Sequence, residues 1–244
     1  MRPAAILSVI VALVVVGAGL VMAVWGAVRP DGRQAGDADP AAVARGTALP
    51  EIPPLAEGLD LAVWAERSAP ATGVPARALE AYGTAERAQH AATPDCGLSW
   101  ATLAGVGRVE SDHGRLGRAD LDADGVARPS IVGVALDGSP GLAEMPDTDA
   151  GRLDGDVEFD RAVGPMQFLP ATWARYGADG DGDGVRNADD LDDAAAAAAR
   201  YLCANGRDTA DGDGWWDGVL AYNRSIDYAR RVWTAADRYA TALA

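Results

Sequence analysis

The chain has 244 residues, 49% hydrophobic and 23% charged, which is room for one good-sized domain with additions. Its formal net charge is -15, with 21 basic residues, all arginine, against 36 acidic ones. That balance argues against nucleic acid and anionic headgroups as partners and leaves neutral ligands and divalent cations.

No charge interrupts the stretch from Pro3 to Val28. At ~1.5 Å per residue it outreaches the ~30 Å core of a bilayer, and it exceeds the ~7–15 apolar residues of a cleavable signal. Residues 1–28 therefore read as a transmembrane anchor, with Trp25 at the interface. A signal helix cut after Ala23 or Gly26 is the alternative, and either exports the rest of the chain. Residues 29–60 carry Pro30, Pro40, Pro50, Pro53 and Pro54 without an apolar period and read as an extracytoplasmic linker. Residues 61–244 read as one mainly α domain.

From Leu61 the pattern is helical. Pro75 opens a helix through Ala76 to about Ala92, with Leu79, Tyr82 and Ala85 inward and Pro94 closing it. The next helix runs from Leu98, with Asp95 or Ser99 as cap, and carries Trp100, Leu103 and Val106 on one face. Glu110 falls on that same apolar face in the last turn, with Gly114 as the expected stop. A carboxylate in an apolar stripe is expensive, which marks Glu110 as a candidate catalytic acid.

Residues 115–163 form a Gly- and Asp-rich excursion, expected to wall a cleft with a small β element around the apolar run Ile131–Leu136. Its Asp120–Gly125 resembles the start of a calcium loop but places Ile131 at position twelve. Gly164-Pro165-Met166-Gln167-Phe168-Leu169-Pro170 then leads into a short helix ending at Tyr176. Directly after it, Asp179, Asp181, Asp183, Val185 (by its carbonyl), Asn187 and Asp190 occupy positions 1, 3, 5, 7, 9 and 12 of an EF-hand-like loop. Ca²⁺ in a structural role is the one cofactor expected, with no organic cofactor. Helices follow at Leu191 to about Ala204, from Trp215-Trp216 to Asn223, and from Ser225 to Tyr239. Cys96 and Cys203, the only cysteines, are two buried thiols or one disulfide, the latter favoured outside the membrane.

Three motifs in order, the helix ending Glu110-Ser111, then Gly164–Pro170, then Ala221-Tyr222-Asn223-Arg224-Ser225, resemble the lysozyme-like lytic murein transglycosylases. The likeness is nearest to their B family, some of whose members carry one EF-hand-like calcium loop. It covers about Ala76 to Ala244 and makes 61–244 the expected catalytic domain. The resemblance implies that Glu110 is the single catalytic glutamate, that Ser111, Met166 and Gln167 line the sugar site, and that Tyr222 and Asn223 face the glutamate. It further implies cleavage of the MurNAc–GlcNAc β-1,4 bond of peptidoglycan to 1,6-anhydro ends, at the bacterial cell envelope. By analogy with the general acid of lysozyme, the Glu110 pKa is expected at ~6. A hydrolytic muramidase using an Asp of the excursion, and an inactive calcium-dependent wall-binding module, are the rival readings. Trp215, Trp216, Phe168 and Tyr176 are aromatic but are expected in the core more than on a sugar.

Overall fold

The computed structural model describes residues 39–244, a mainly helical body with one small sheet. The expected apolar anchor, residues 1–28, lies outside the described residues. Among the described residues no helix is long and apolar enough to cross a membrane. The α-helices described are α1 (Leu61–Thr72), α2 (Ala76–Ala92), α3 (Trp100–Ser111), α4 (Pro170–Tyr176), α5 (Leu191–Leu202), α6 (Gly212–Tyr222) and α7 (Ile226–Ala242).

Their ends have local causes. The Asp60 carboxylate accepts the Val63 N–H to open α1, which stops at left-handed Gly73. α2 begins directly after Pro75 and buries Leu79, Tyr82 and Ala85. Ser99, one of the two expected caps, accepts the Thr102 N–H to open α3. Ser225 likewise accepts the Tyr228 N–H to open α7.

α3 runs through the middle of the body, crossing α7 and flanked by α2. Gly105 permits that crossing, because a Cβ there would lie 2.7 Å from the Val232 carbonyl oxygen and 3.2 Å from the Ala236 methyl. α5 lies on α2 through its buried alanines Ala194, Ala195, Ala197 and Ala198. Small residues on both sides of a contact let backbones approach closely and leave little void.

The excursion does carry a small β element. β1 (Asp120–Leu121) and β2 (Ala127–Arg128) pair antiparallel, with Asp120 opposite Arg128. The calcium-like stretch between them is the hairpin turn. Asp122 accepts the Asp124 and Val126 N–H groups and pairs with Arg128, so its carboxylate already has work. The remainder of the excursion holds together through single bridges such as Val132–Val163 and Pro146–Phe159.

The linker reading is corrected over its described part. Val43 is buried, and Leu49, Ile52 and Leu55 pack on the core. The indole N–H groups of Trp216 and Trp233 both donate to the Thr47 carbonyl, at 3.1 and 3.0 Å. Arg230 donates to the Val43 carbonyl at 3.0 Å, and the Glu86 carboxylate accepts the Leu55 N–H at 2.9 Å. Much of the attachment is made by backbone groups of the strap, which side-chain periodicity does not record.

Cys96 and Cys203 form the disulfide, joining positions 107 apart, just before α3 and just after α5. Replacing both by Ser is expected to lower unfolding free energy by ~2–4 kcal/mol, read from urea unfolding with midpoint and slope fitted together, since the freed unfolded chain exposes more surface.

Candidate active site

Glu110 ends α3 as the apolar stripe requires, with Leu103 and Val106 fully buried behind it. One of its carboxyl oxygens accepts a 2.5 Å hydrogen bond from the Tyr228 hydroxyl in the first turn of α7. Burial pushes its pKa from the ordinary 4.5 up to about 7, against the smaller opposing pulls of the Tyr228 bond and the Arg231 charge. A carboxyl so placed carries its proton near neutrality and can give it up and take it back. The shift is in the direction expected by analogy with lysozyme.

Glu86 provides the contrast. It is 1% exposed, and its two oxygens accept the Leu55 N–H and the Trp100 N–H, at 2.9 and 2.6 Å. Both oxygens are committed to backbone, so Glu86 is a structural brace between the strap and the start of α3.

The structure redistributes the other expected site residues. Tyr222 lies within electrostatic reach of Glu110, and burial together with that charge raises its hydroxyl well above the ordinary range. Its hydroxyl donates to the Met166 carbonyl at 2.7 Å. Asn223 is buried, and its side-chain oxygen accepts the Ser225 N–H at 3.0 Å, shaping the turn from α6 to α7. Ser111, expected on the sugar, is instead 1% exposed: its hydroxyl donates to the Pro165 carbonyl at 2.6 Å and accepts the Gly114 N–H at 2.7 Å. It ties the end of α3 to the Gly164–Pro170 turn. Met166 is corrected in the same way, its side chain fully buried in the core and its carbonyl left to Tyr222. Gln167 is also buried, with φ at 50° and its amide donating to the Gly164 carbonyl at 2.9 Å. The motif is legible in sequence, but its side chains build the turn from inside.

Trp215, Trp216 and Phe168 are core residues, as expected. Tyr176 stacks on Tyr201 at 4.7 Å between centroids, and Tyr201 meets Tyr222 at 5.4 Å. These three partly exposed rings run outward from the neighbourhood of Glu110. Sequence reading missed Tyr201 and, more importantly, Tyr228. Both lie on helices read correctly, but nothing in a helical period says which ring meets a residue over a hundred positions away.

In the acidic loop, Asp179 and Asp181 bring carboxylate oxygens within 4.8 Å of one another and of Asp193. Asp193 thus joins the cluster, while the expected Asp190 caps α5, one of its oxygens accepting the Asp192 N–H at 2.8 Å. Asp183 and Asn187 turn their side-chain oxygens onto the Val185 and Asp189 N–H groups, and Val185 stands exposed. The residues fit a hard divalent cation through three carboxylates, fewer ligands than the six read from the sequence.

An open hollow of about 570 Å³ lies on the excursion between Gly133 and the segment Asp154–Glu158. Neither Glu110, Tyr222 nor Tyr228 is among the residues that line it.

A tyrosine-held glutamate raised toward neutrality, beside the rings of Tyr222, Tyr201 and Tyr176, is an arrangement able to do acid–base chemistry. Residues 159–216 match the family described as Transglycosylase SLT domain, a segment that holds the Gly164–Pro170 turn and the acidic loop. Over that segment the chain is similar to that family. It is also similar to the Escherichia coli lytic transglycosylase Slt35, solved in complex with bulgecin A, at 16% identity over 76% of this chain and 81% of that chain, with a TM-score of 0.42. No curated protein matches the chain.

Proposed function

We propose that the chain is a peptidoglycan lytic transglycosylase of lysozyme-like architecture that cuts the MurNAc–GlcNAc β-1,4 bond without water. The observation that carries this reading is Glu110, whose carboxyl is held up at about 7 and oriented by Tyr228. Protonated Glu110 gives its proton to the bridging oxygen as the bond to C1 of MurNAc breaks. The 6-hydroxyl of the same MurNAc then bonds to C1, and its proton passes to the Glu110 carboxylate. The enzyme returns protonated, and no water is consumed. One carboxyl suffices for this cycle, whereas most glycoside hydrolases place two about the bond. In support, the groups that act on Glu110 include Tyr228, Arg231 and Tyr222, none of them a carboxyl. The partly exposed rings of Tyr222, Tyr201 and Tyr176, packed on one another, form an aromatic edge along which a sugar chain can lie.

The test is the end chemistry of digested sacculi. Mass spectrometry is expected to find 1,6-anhydro-MurNAc ends; reducing ends in their place would overturn the lytic step and favour the muramidase.

We place Ca²⁺ at Asp179, Asp181 and Asp193, where it would neutralise converging carboxylates and fix the end of α4 relative to α5. Adding a chelator is expected to lower the melting temperature, and Ca²⁺ in excess to restore it. A melting curve indifferent to both would remove the metal from the account. The catalytic domain is assigned to the outside of the membrane in the bacterial envelope, held by the 1–28 segment, on the strength of that apolar run and the disulfide. Fractionation of cells and protease access to the domain test that assignment.

A further inference from the structure

α3 departs from helix preference in two places that the glutamate does not explain. Gly107 sits inside the helix, where alanine is the better residue. At the end, Asp112 and His113 are consecutive non-glycine residues with φ at 53° and 61°. One construction accounts for both. A Cβ on residue 107 would overlap the Tyr82 hydroxyl, so the glycine makes the space that hydroxyl occupies. The left-handed pair turns the chain back, the His113 N–H donates to the Gly107 carbonyl at 2.9 Å, and the His113 ring is delivered beneath the helix.

There the ring is 1% exposed, with Nδ1 3.1 Å from the Tyr82 hydroxyl and Nε2 3.1 Å from the Tyr239 hydroxyl. Burial is the main cause that keeps this imidazole neutral, helped by the positive charges of Arg115, Arg108 and Arg238. A neutral imidazole offers one donor and one acceptor, and a hydroxyl can answer either, so the line α2–His113–α7 can be fully satisfied. Tyr239 lies about three turns along α7 from Tyr228, on the same face of that helix. The end of α3 therefore meets α7 twice, through Glu110 at Tyr228 and through His113 at Tyr239. Local rules broken together in the service of one contact are the mark of a supporting element at a site.

We propose that His113 is a positioning residue for the Glu110 acid: by bonding Tyr82 and Tyr239 it fixes the last turn of α3 between α2 and α7 and holds Glu110 against Tyr228. The inference rests on the reading of Glu110 as the acid. His113 touches no substrate and takes no proton in the cycle.

The experiment compares His113→Leu, His113→Gln and Tyr239→Phe with the full chain, measuring release of anhydro ends from sacculi across pH. His113→Leu is expected to lower kcat by ~10²-fold with KM little changed, the scale of a small misplacement of a reacting group. It is also expected to move the fall of kcat/KM that lies near pH 7 toward lower pH. Burial is the main cause of the high Glu110 value, so the water that a loosened α3–α7 contact admits lowers it by more than weakening the smaller Tyr228 pull raises it. His113→Gln, whose amide supplies both a donor group and an acceptor, is expected to recover most of the rate and the original pH limb. Tyr239→Phe, which removes one oxygen, is expected to show the same limb shift in smaller measure and serves if His113→Leu does not fold. Wild-type rate and pH limb in His113→Leu, or in Tyr239→Phe where that variant stands in, would overturn the proposal. So would a Gln variant no better than Leu. An active Glu110→Gln would instead overturn the reading of the acid, which separates the two failures.

Discussion

Glu110→Gln is expected to reduce release of anhydro ends by ~10²–10⁴-fold, the usual worth of a positioned acid–base group, and at the same time to make the protein more stable above neutrality. The amide keeps the shape of the carboxyl and can still accept from Tyr228, but it can neither give nor take a proton. In the wild type, kcat/KM is expected to fall as pH rises through about 7, because the first step needs the protonated form. Linkage fixes the sign of the stability effect. The folded value, about 7, lies above the ordinary 4.5, so the folded state holds its proton more tightly than the unfolded one. Below the ordinary value both states are protonated, and no penalty arises. As pH climbs toward 7 the fold is progressively destabilised, by about 3 kcal/mol in full. Gln removes that penalty, so thermal melts at pH 8 should rise in the variant while melts at pH 4 should not. A variant that lost both activity and stability at pH 8 would indicate a structural carboxylate. Glu86→Gln is expected to behave that way, since an amide cannot accept from both the Leu55 and the Trp100 N–H groups.

Gly164→Ala is the substitution with the largest expected effect on the fold. Gly164 has φ at 80°, and a Cβ there would overlap the Ala188 carbonyl, a backbone atom that cannot rotate away. Strain and displacement together are expected to cost roughly 4–5 kcal/mol, a drop of about 10–20 °C in melting temperature for a domain of this size. The damage should also reach the site, because the same turn receives Ser111 from α3 at Pro165 and Tyr222 from α6 at Met166. A melting temperature within a few degrees of wild type would show that the acidic loop and the turn are less tightly seated on each other than this geometry requires.

Most of the helices and the glutamate were legible in the sequence because their signals are local. Pro75, Ser99, Pro170 and Ser225 each act on the next few residues, and the spacing of Leu103, Val106 and Glu110 states a face directly. What escaped is what depends on contact at a distance. Ser111, Met166 and Gln167 follow the expected motif, yet a motif does not say whether a side chain points to the ligand or into the turn that carries it. Asp190 and Asp193 show competition between two local rules. The EF-hand spacing assigns Asp190 to a metal, but an aspartate just ahead of a helix is also a preferred cap, and one Asp190 oxygen caps α5. Tyr228 and His113 were invisible for another reason: their partners lie on helices that meet only once the chain has folded.

The double acceptance at Thr47 has a practical consequence for anyone dissecting the chain. A fragment cut at Leu61, where the helical pattern begins, would strip Trp216 and Trp233 of their shared acceptor and take one of two donors from Glu86. Such a fragment would present bare indole edges as a sticky surface and would be poorly behaved for reasons unrelated to catalysis. The shortest piece worth expressing starts ahead of Val43.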